Sequence, residues 1–448
     1  MRSFCAHGLP FPPTPAQSRS VSDTLTSDVA PLSAPPLPRL DALDLLRGVA
    51  ILGILLMNTQ SMSMPAGAYY SPVEYGDYTG ANRIVWMVIH VLADTKFITI
   101  FSMLFGAGIL LQGERVTQRG LSPAGVHYRR MLVLLLFGII HAYALWYGDV
   151  LIPYAVCGML LFPIRRLPAP LLVFVGVVFV ATATFMRFAI DNELFSLASW
   201  IGNWTSQLQS GRTGVAYELN AYRGNWWRQM DSRLWVSLDN DGPSFLTWTL
   251  WRCGGCMLIG IALQRSRFFH AQWPRSAYAM LAAMLIPIGW CITGLGIVYN
   301  ESNGWDATAF WSFGEQFNYW GSLISAFGYL ALGVLVAISI ADARGIFTRT
   351  LRLMAIPIRS IGRTALSNYI SQTLVCTTIF YGHGLGRFGT YSRVQLLELT
   401  IKIWICQLIV STIWLRCFKQ GPLEWAWHRI AYWSRQASSA PMPTPATA

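Results

Sequence analysis

The sequence predicts an all-α fold: a polytopic helical membrane protein of about ten transmembrane helices with both termini in the cytoplasm. Three observations carry that expectation. Of the 448 residues, 54% are hydrophobic and only 12% charged, about half the charged share of a soluble globular chain. The apolar residues are gathered into segments able to cross roughly 30 Å of hydrocarbon at about 1.5 Å per residue. The basic residues fall on alternate connections between those segments, the distribution that orients helices in a bilayer.

Residues 1–38 are rich in Pro, Ser, Thr and Ala and have no apolar run of signal-peptide length. They are expected to form a disordered cytoplasmic tail, leaving insertion to the first apolar helix. A transmembrane domain follows over 39–433, with crossings near 45–62, 96–113, 130–147, 149–164, 169–189, 245–264, 276–298, 318–341, 362–381 and 396–417. Residues 83–93 read as an amphipathic helix on the outer surface, and 434–448 as a second disordered tail.

The net charge of +12 would suit a nucleic-acid binder, but the basic residues sit in short loops and no nucleic-acid motif accompanies them. Arg115, Arg119, Arg129 and Arg130 follow the second crossing, Arg165 and Arg166 the fourth, and Arg265, Arg267 and Arg275 the sixth. Arg344, Arg349, Arg352 and Arg359 follow the eighth, and Lys419, Arg429 and Arg435 the tenth. All lie on one predicted face, the cytoplasmic side of a bacterial inner membrane. Opposite loops carry Glu74, Asp77, Asp94, Glu301, Asp306 and Glu315. The largest, 190–244, holds Trp200, Trp204, Trp226, Trp227 and Trp235, a pattern for amphipathic helices at headgroup level.

Eight cysteines are present, nearly all inside apolar segments, where they act as small hydrophobes. Cys253-Gly-Gly-Cys256 has no second pair, so no metal site is expected.

An ionisable or strongly polar side chain inside a membrane is costly and therefore a candidate for function. Asp44 and Arg47 open the first crossing, and Asn58 lies eleven residues beyond Arg47, nearly three turns along the same face and about 16 Å away. Arg47 can attract an anionic cofactor phosphate; alternatively Asp44 and Arg47 are a boundary ion pair and Asn58 bonds a neighbouring helix. His141 in the third crossing, followed by Asp149 in a tight outward turn, sits at about the depth of Asn58. A His is the natural general base for a hydroxyl or amine, with Asp149 orienting it; a neutral His bonded within the bundle is the plainer reading.

In the ninth crossing Thr364, Ser367, Asn368, Ser371 and Gln372 share one side, lining either a polar cavity or a hydrogen-bonded seam. Lys96 is expected to snorkel toward the outer interface, with Gly106 and Gly108 at a close helix contact. His90, His127, His270 and His383 fall in loops or at helix ends and are expected to be solvated.

The stretches RLDALDLLRGVAILGILLMN, KFITIFSMLFGAG, YRRMLVLLLFGIIHAYALWYGDVLIPYA, IGRTALSNYISQ and GPLEWAWHRIAYW together resemble the YeiB-type family of bacterial membrane proteins, the domain of unknown function numbered 418. That family is distantly similar to the transmembrane acyltransferases, including the heparan glucosaminide acetyltransferases and the acyltransferase-3 proteins. The resemblance carries over Arg47 and Asn58; the acyltransferase-3 pattern has His at the second position, the heparan enzymes Asn. Where the heparan enzymes place a catalytic His, eleven residues after that Asn, this chain has Tyr69, so the base would be His141 or His90.

The resemblance implies acyl transfer from cytoplasmic acyl-CoA, a co-substrate rather than a resident cofactor, to a hydroxyl or amine of an envelope glycan, lipid or small molecule. The alternatives are a small-solute transporter or channel, whose pathway the same polar groups would line, and a non-catalytic assembly protein. Glycine-containing seams permit a homo-oligomer.

Overall fold

In lipid, each backbone polar group must find its partner within its own segment, and the described residues of the computed structural model are accordingly helical, with no strand among them. It describes residues 41–432 apart from 193, 195, 210, 212–213 and 343–345. The expected tails at 1–38 and 434–448, and Arg344 and Arg435, lie outside the described residues.

In chain order the helices are α1 (Asp41–Ser63), α2 (Gly67–Tyr70), α3 (Gly80–Leu92), α4 (Lys96–Gln118), α5 (Pro123–Ile140), α6 (Leu151–Leu161), α7 (Ala169–Asp191), α8 (Ser196–Gln209) and α9 (Val215–Arg223). There follow α10 (Trp226–Asp241), α11 (Leu250–Arg265), α12 (Arg275–Ser302), α13 (Ala307–Ala309), α14 (Glu315–Asp342), α15 (Ile346–Arg363), α16 (Ala365–Phe380), α17 (Arg393–Cys417) and α18 (Pro422–Ala431).

Among the described residues, eight helical stretches are long and apolar enough to cross a membrane, against about ten crossings expected. The difference lies in two short helices. α6 has 11 residues and α16 has 16, about 16 and 24 Å of rise. α6 is shortened because α5 ends in a π-helical turn, His141–Leu145, and non-helical backbone follows to Val150. α16 gives its apolar character up to a polar stripe. Both nevertheless run between the two ends of the bundle.

Those ends are defined by hydrogen bonds between connections. At one, Glu218 accepts from the Ala66 N–H at 2.8 Å, Arg393 donates to the carbonyls of Pro72 and Tyr75, and Trp226 and Arg233 donate to that of Ala144. At the other, Arg265 donates to the carbonyls of Arg165 and Arg166, Trp427 to that of Arg130, and Arg363 to that of Lys419. The second set holds the arginine-rich connections. α1 starts there beside α15, where Gly362 meets the Asp44 carbonyl, and α18 docks there through Glu424, which accepts from the Leu366 and Ser367 N–H groups.

Lipid provides no hydrophobic drive between helices, so packing depends on close approach. Gly106 of α4 abuts the Met257 carbonyl of α11, and Gly260 of α11 abuts the Met103 carbonyl of α4. Outward residues remain apolar: Leu132, Leu136 and Ile140 on α5, Phe174, Val178 and Phe185 on α7, and Ile84, Val88 and Leu92 on α3 are all exposed.

Candidate functional site

At the arginine-rich end, Arg47 and Asp44 pair at 3.5 Å, with Arg47 keeping 29% of its side chain exposed. The missing side chain of Gly108 leaves space beside the guanidinium, an ideal Cβ there lying 3.5 Å from it. Asn58 is half-buried and forms no side-chain hydrogen bond among the described residues, so its amide is unspent.

The polar stripe of α16 takes the form of a seam. Asn368 Nδ2 donates to Ser411 Oγ at 3.0 Å, and Gln372 Nε2 to Gln407 Oε1 at 2.9 Å and the Ile51 carbonyl at 3.3 Å. Ser367 Oγ donates to Glu424. These side chains tie α16 to α17, α1 and α18.

His141 is 1% exposed. Its Nδ1 lies 2.8 Å from Asp149 Oδ1 and its Nε2 2.9 Å from Thr373 Oγ1, while Asp149 Oδ2 caps α6 by accepting from the Ile152 N–H at 2.7 Å. α10 lies across this turn: Ser237 donates to the Ala142 carbonyl and Asn240 to that of Tyr147. Both imidazole nitrogens are thereby engaged inside the protein. The π-helical turn carries His141 inward, and Asp149 reaches it by the following non-helical strand of backbone.

A second His–Asp pair has an open side. α3 ends at Leu92, and the turn Ala93–Thr95, with Thr95 at φ 56°, redirects the chain into α4. The turn brings Asp94 Oδ2 to 3.0 Å from His90 Nδ1. Asp94 also accepts from Tyr69 Oη at 2.8 Å and from Asn318 Nδ2 at 2.8 Å. The His90 ring stacks on Trp86 at 4.7 Å, and its Nε2 has no hydrogen-bond partner among the described residues. A carboxylate beside Nδ1 favours the tautomer protonated there, which leaves Nε2 as the basic nitrogen.

His90, Asp94 and Tyr69 line a cavity of about 60 Å³ with Tyr70, Trp248, Arg252, Asn300, Trp305, Glu315 and Asn318. Arg252 donates to the Tyr319 carbonyl, Thr99 Oγ1 and Ser322 Oγ at 2.8–3.1 Å.

Lys96 does not snorkel. It is fully buried, its Nζ donating to the His90 carbonyl at 2.9 Å and to Asn318 Oδ1 at 3.0 Å. The cause is the Ala93–Thr95 turn, which starts α4 beneath α3, so the ammonium meets Asn318 and the field of Asp94 instead of water. Nor are three of the four loop histidines solvated, His383 alone being exposed among them. His127 is 3% exposed and bonds the Gly158 carbonyl at 2.9 Å, His383 bonds Gln229 Oε1 at 2.9 Å, and His90 and His270 are half-buried.

Several cavity residues had no place in the sequence-based site, Arg252, Glu315 and Asn300 among them. Arg252 carried a signal, a lone cation in the apolar run LTWTLWRCGGCMLIGIAL. Glu315 carried none, because its neighbours are assembled from α2, α3, α11 and α12.

A bundle of apolar helices with ionisable groups sealed inside defines an integral, multi-pass membrane protein in a lipid bilayer. Residues 263–434 match the family described as protein of unknown function (DUF418). The uncharacterized protein YeiB of Escherichia coli strain K12 is 31% identical over 404 residues, 87% of this chain and 95% of that protein. The uncharacterized protein YxaH of Bacillus subtilis strain 168 is 28% identical over 414 residues, 89% of this chain and 95% of that protein. The chain belongs to this YeiB-type DUF418 family.

Proposed function

We propose that this protein is a bacterial inner-membrane acyltransferase that passes an acyl group from cytoplasmic acyl-CoA to a hydroxyl or amine acceptor from the opposite side. The observation that carries the reading is the His90–Asp94 pair at 3.0 Å beside a cavity, with Nε2 left for a substrate proton. The resemblance to heparan-type enzymes departs at Tyr69, which stands where they carry their His; its hydroxyl bonds the Asp94 that faces His90.

Arg47 attracts the CoA phosphates at the arginine-rich end. At the other end the acceptor X–H gives its proton to His90 Nε2, and X attacks the thioester carbon. The X–C bond forms as negative charge gathers on the carbonyl oxygen, where the unspent Asn58 amide donates a hydrogen bond. Collapse breaks the C–S bond, and the CoA thiolate leaves, recovering the proton from His90. Asp94 stabilises the imidazolium in between. His141, with both nitrogens engaged, holds the π-helical turn.

The test is release of free CoA from labelled acetyl-CoA by the purified full-length protein with envelope extract as acceptor. Turnover lost in His90→Ala and kept in His141→Gln supports the assignment. Absence of acyl-CoA binding, together with solute flux in proteoliposomes, would replace it with transport.

A further inference from the structure

The cavity beside His90 has walls and unspent groups of a particular kind. Tyr69, Tyr70, Trp248, Trp305 and Phe310 line it, and aromatic faces carry the negative side of a quadrupole. Glu315 also lines it, half-buried, and its carboxylate forms no hydrogen bond or ion pair among the described residues. Asn300, 5% exposed, has a buried Oδ1 without a partner. The nearby cations are committed elsewhere. Arg252 spends its donors on Tyr319, Thr99 and Ser322, and Arg187 pairs with Asp191 at 3.3 Å and lies over Trp311 at 4.7 Å.

A carboxylate and an amide oxygen left unsatisfied within aromatic walls make a site for an organic cation. Aromatic faces attract ammonium groups, and a buried acceptor is costly until a donor reaches it. We infer that the cavity binds a primary ammonium group, held between Glu315 and Asn300 Oδ1. Trp305 Nε1, also buried without a partner, donates to an oxygen beside that nitrogen. A cavity of about 60 Å³ has room for several waters, hence for the head of a larger amine rather than its whole body.

This deepens the acyl-transfer reading by naming the acceptor class, and rests on that reading only for the amine's fate. The bound ammonium loses one proton to His90 Nε2, and the resulting amine attacks the thioester. An amide and CoA result, with one proton released overall.

Binding can be tested without turnover, using ethanolamine and ethylene glycol, which differ in an ammonium against a hydroxyl. Isothermal titration of the detergent-solubilised full chain should give saturable ethanolamine binding and none for ethylene glycol. Glu315→Gln should weaken ethanolamine by about tenfold or more, and Glu315→Asp should weaken it less. Equal binding of the two compounds, or no change in Glu315→Gln, overturns the inference. If Glu315→Gln does not fold, the wild-type contrast and Glu315→Asp decide. Ethanolamine binding without CoA release sinks only the transfer reading; CoA release to alcohols with no ethanolamine binding sinks only this one.

Discussion

His90 and Asp94 sit four residues apart, yet they meet across a helix end: Nδ1 of one lies 3.0 Å from Oδ2 of the other because the chain turns through Ala93–Thr95 between them. The same turn buries Lys96, which places a cation behind the carboxylate. His90→Ala should abolish CoA release. Asp94→Asn should lower kcat by about 10²- to 10⁴-fold, the range for losing a positioned base or its orienting carboxylate, with KM for acyl-CoA nearly unchanged. Steady-state kinetics of the two variants check both, and an Asp94→Asn enzyme of wild-type kcat would remove the pair from the chemistry.

His141 and Asp149 make the contrasting case. Both side chains are 1% exposed, so removing the imidazole leaves a buried carboxylate without its partner. His141→Gln should cost about 3 kcal/mol or more, as for breaking a buried pair, seen as a lower Tm in detergent. Its turnover per folded molecule should stay within tenfold of wild type. Loss of turnover at unchanged Tm would instead make His141 the base.

The α4–α11 contact is a matter of space. Gly106 and Gly260 each face a carbonyl of the opposite helix, so an added methyl forces the backbones apart. Gly260→Ala is expected to destabilise by about 1–3 kcal/mol, the usual cost of overpacking. Gly108→Ala should be nearly neutral, since its Cβ meets only the Arg47 guanidinium at 3.5 Å. Thermal unfolding of the two variants in one detergent makes the comparison.

Much of the bundle is legible in sequence because lipid permits few solutions. α1, α4, α7, α12, α14 and α17 coincide with expected crossings, and the arginine-rich connections gather at one end. The π-helical turn at His141–Leu145 was not legible: HAYAL is as apolar as its surroundings, and the turn depends on α10 bonding the carbonyls of Ala142 and Ala144. Lys96 was misread because snorkelling presumes a helix end at the interface, and only tertiary packing sets α3 over it. Of the cavity, Tyr69, Asp94 and Glu315 were all expected on connections at one end of the bundle, but their meeting with Asn300 and Arg252, from helices far apart in sequence, is something no local spacing records.

Glu218 joins the outer connections to the cavity. It accepts from the Ala66 N–H at 2.8 Å, immediately before α2, which carries Tyr69 and Tyr70 into the cavity wall. Burial pushes its carboxyl up to about 7 and the nearby Glu74 adds to the rise, while the Ala66 hydrogen bond opposes it. The folded pKa thus lies above the unfolded value of 4.5, so the folded state binds the extra proton between them. Stability from this group is full below about pH 4.5 and is lost as pH rises through about 7. The loss is of order 1–3 kcal/mol. Glu218→Gln should flatten this part of the Tm-against-pH curve, since a neutral amide keeps an acceptor for Ala66 and cannot ionise. A variant whose Tm falls between pH 5 and 7 as steeply as wild type would place the titration on another group.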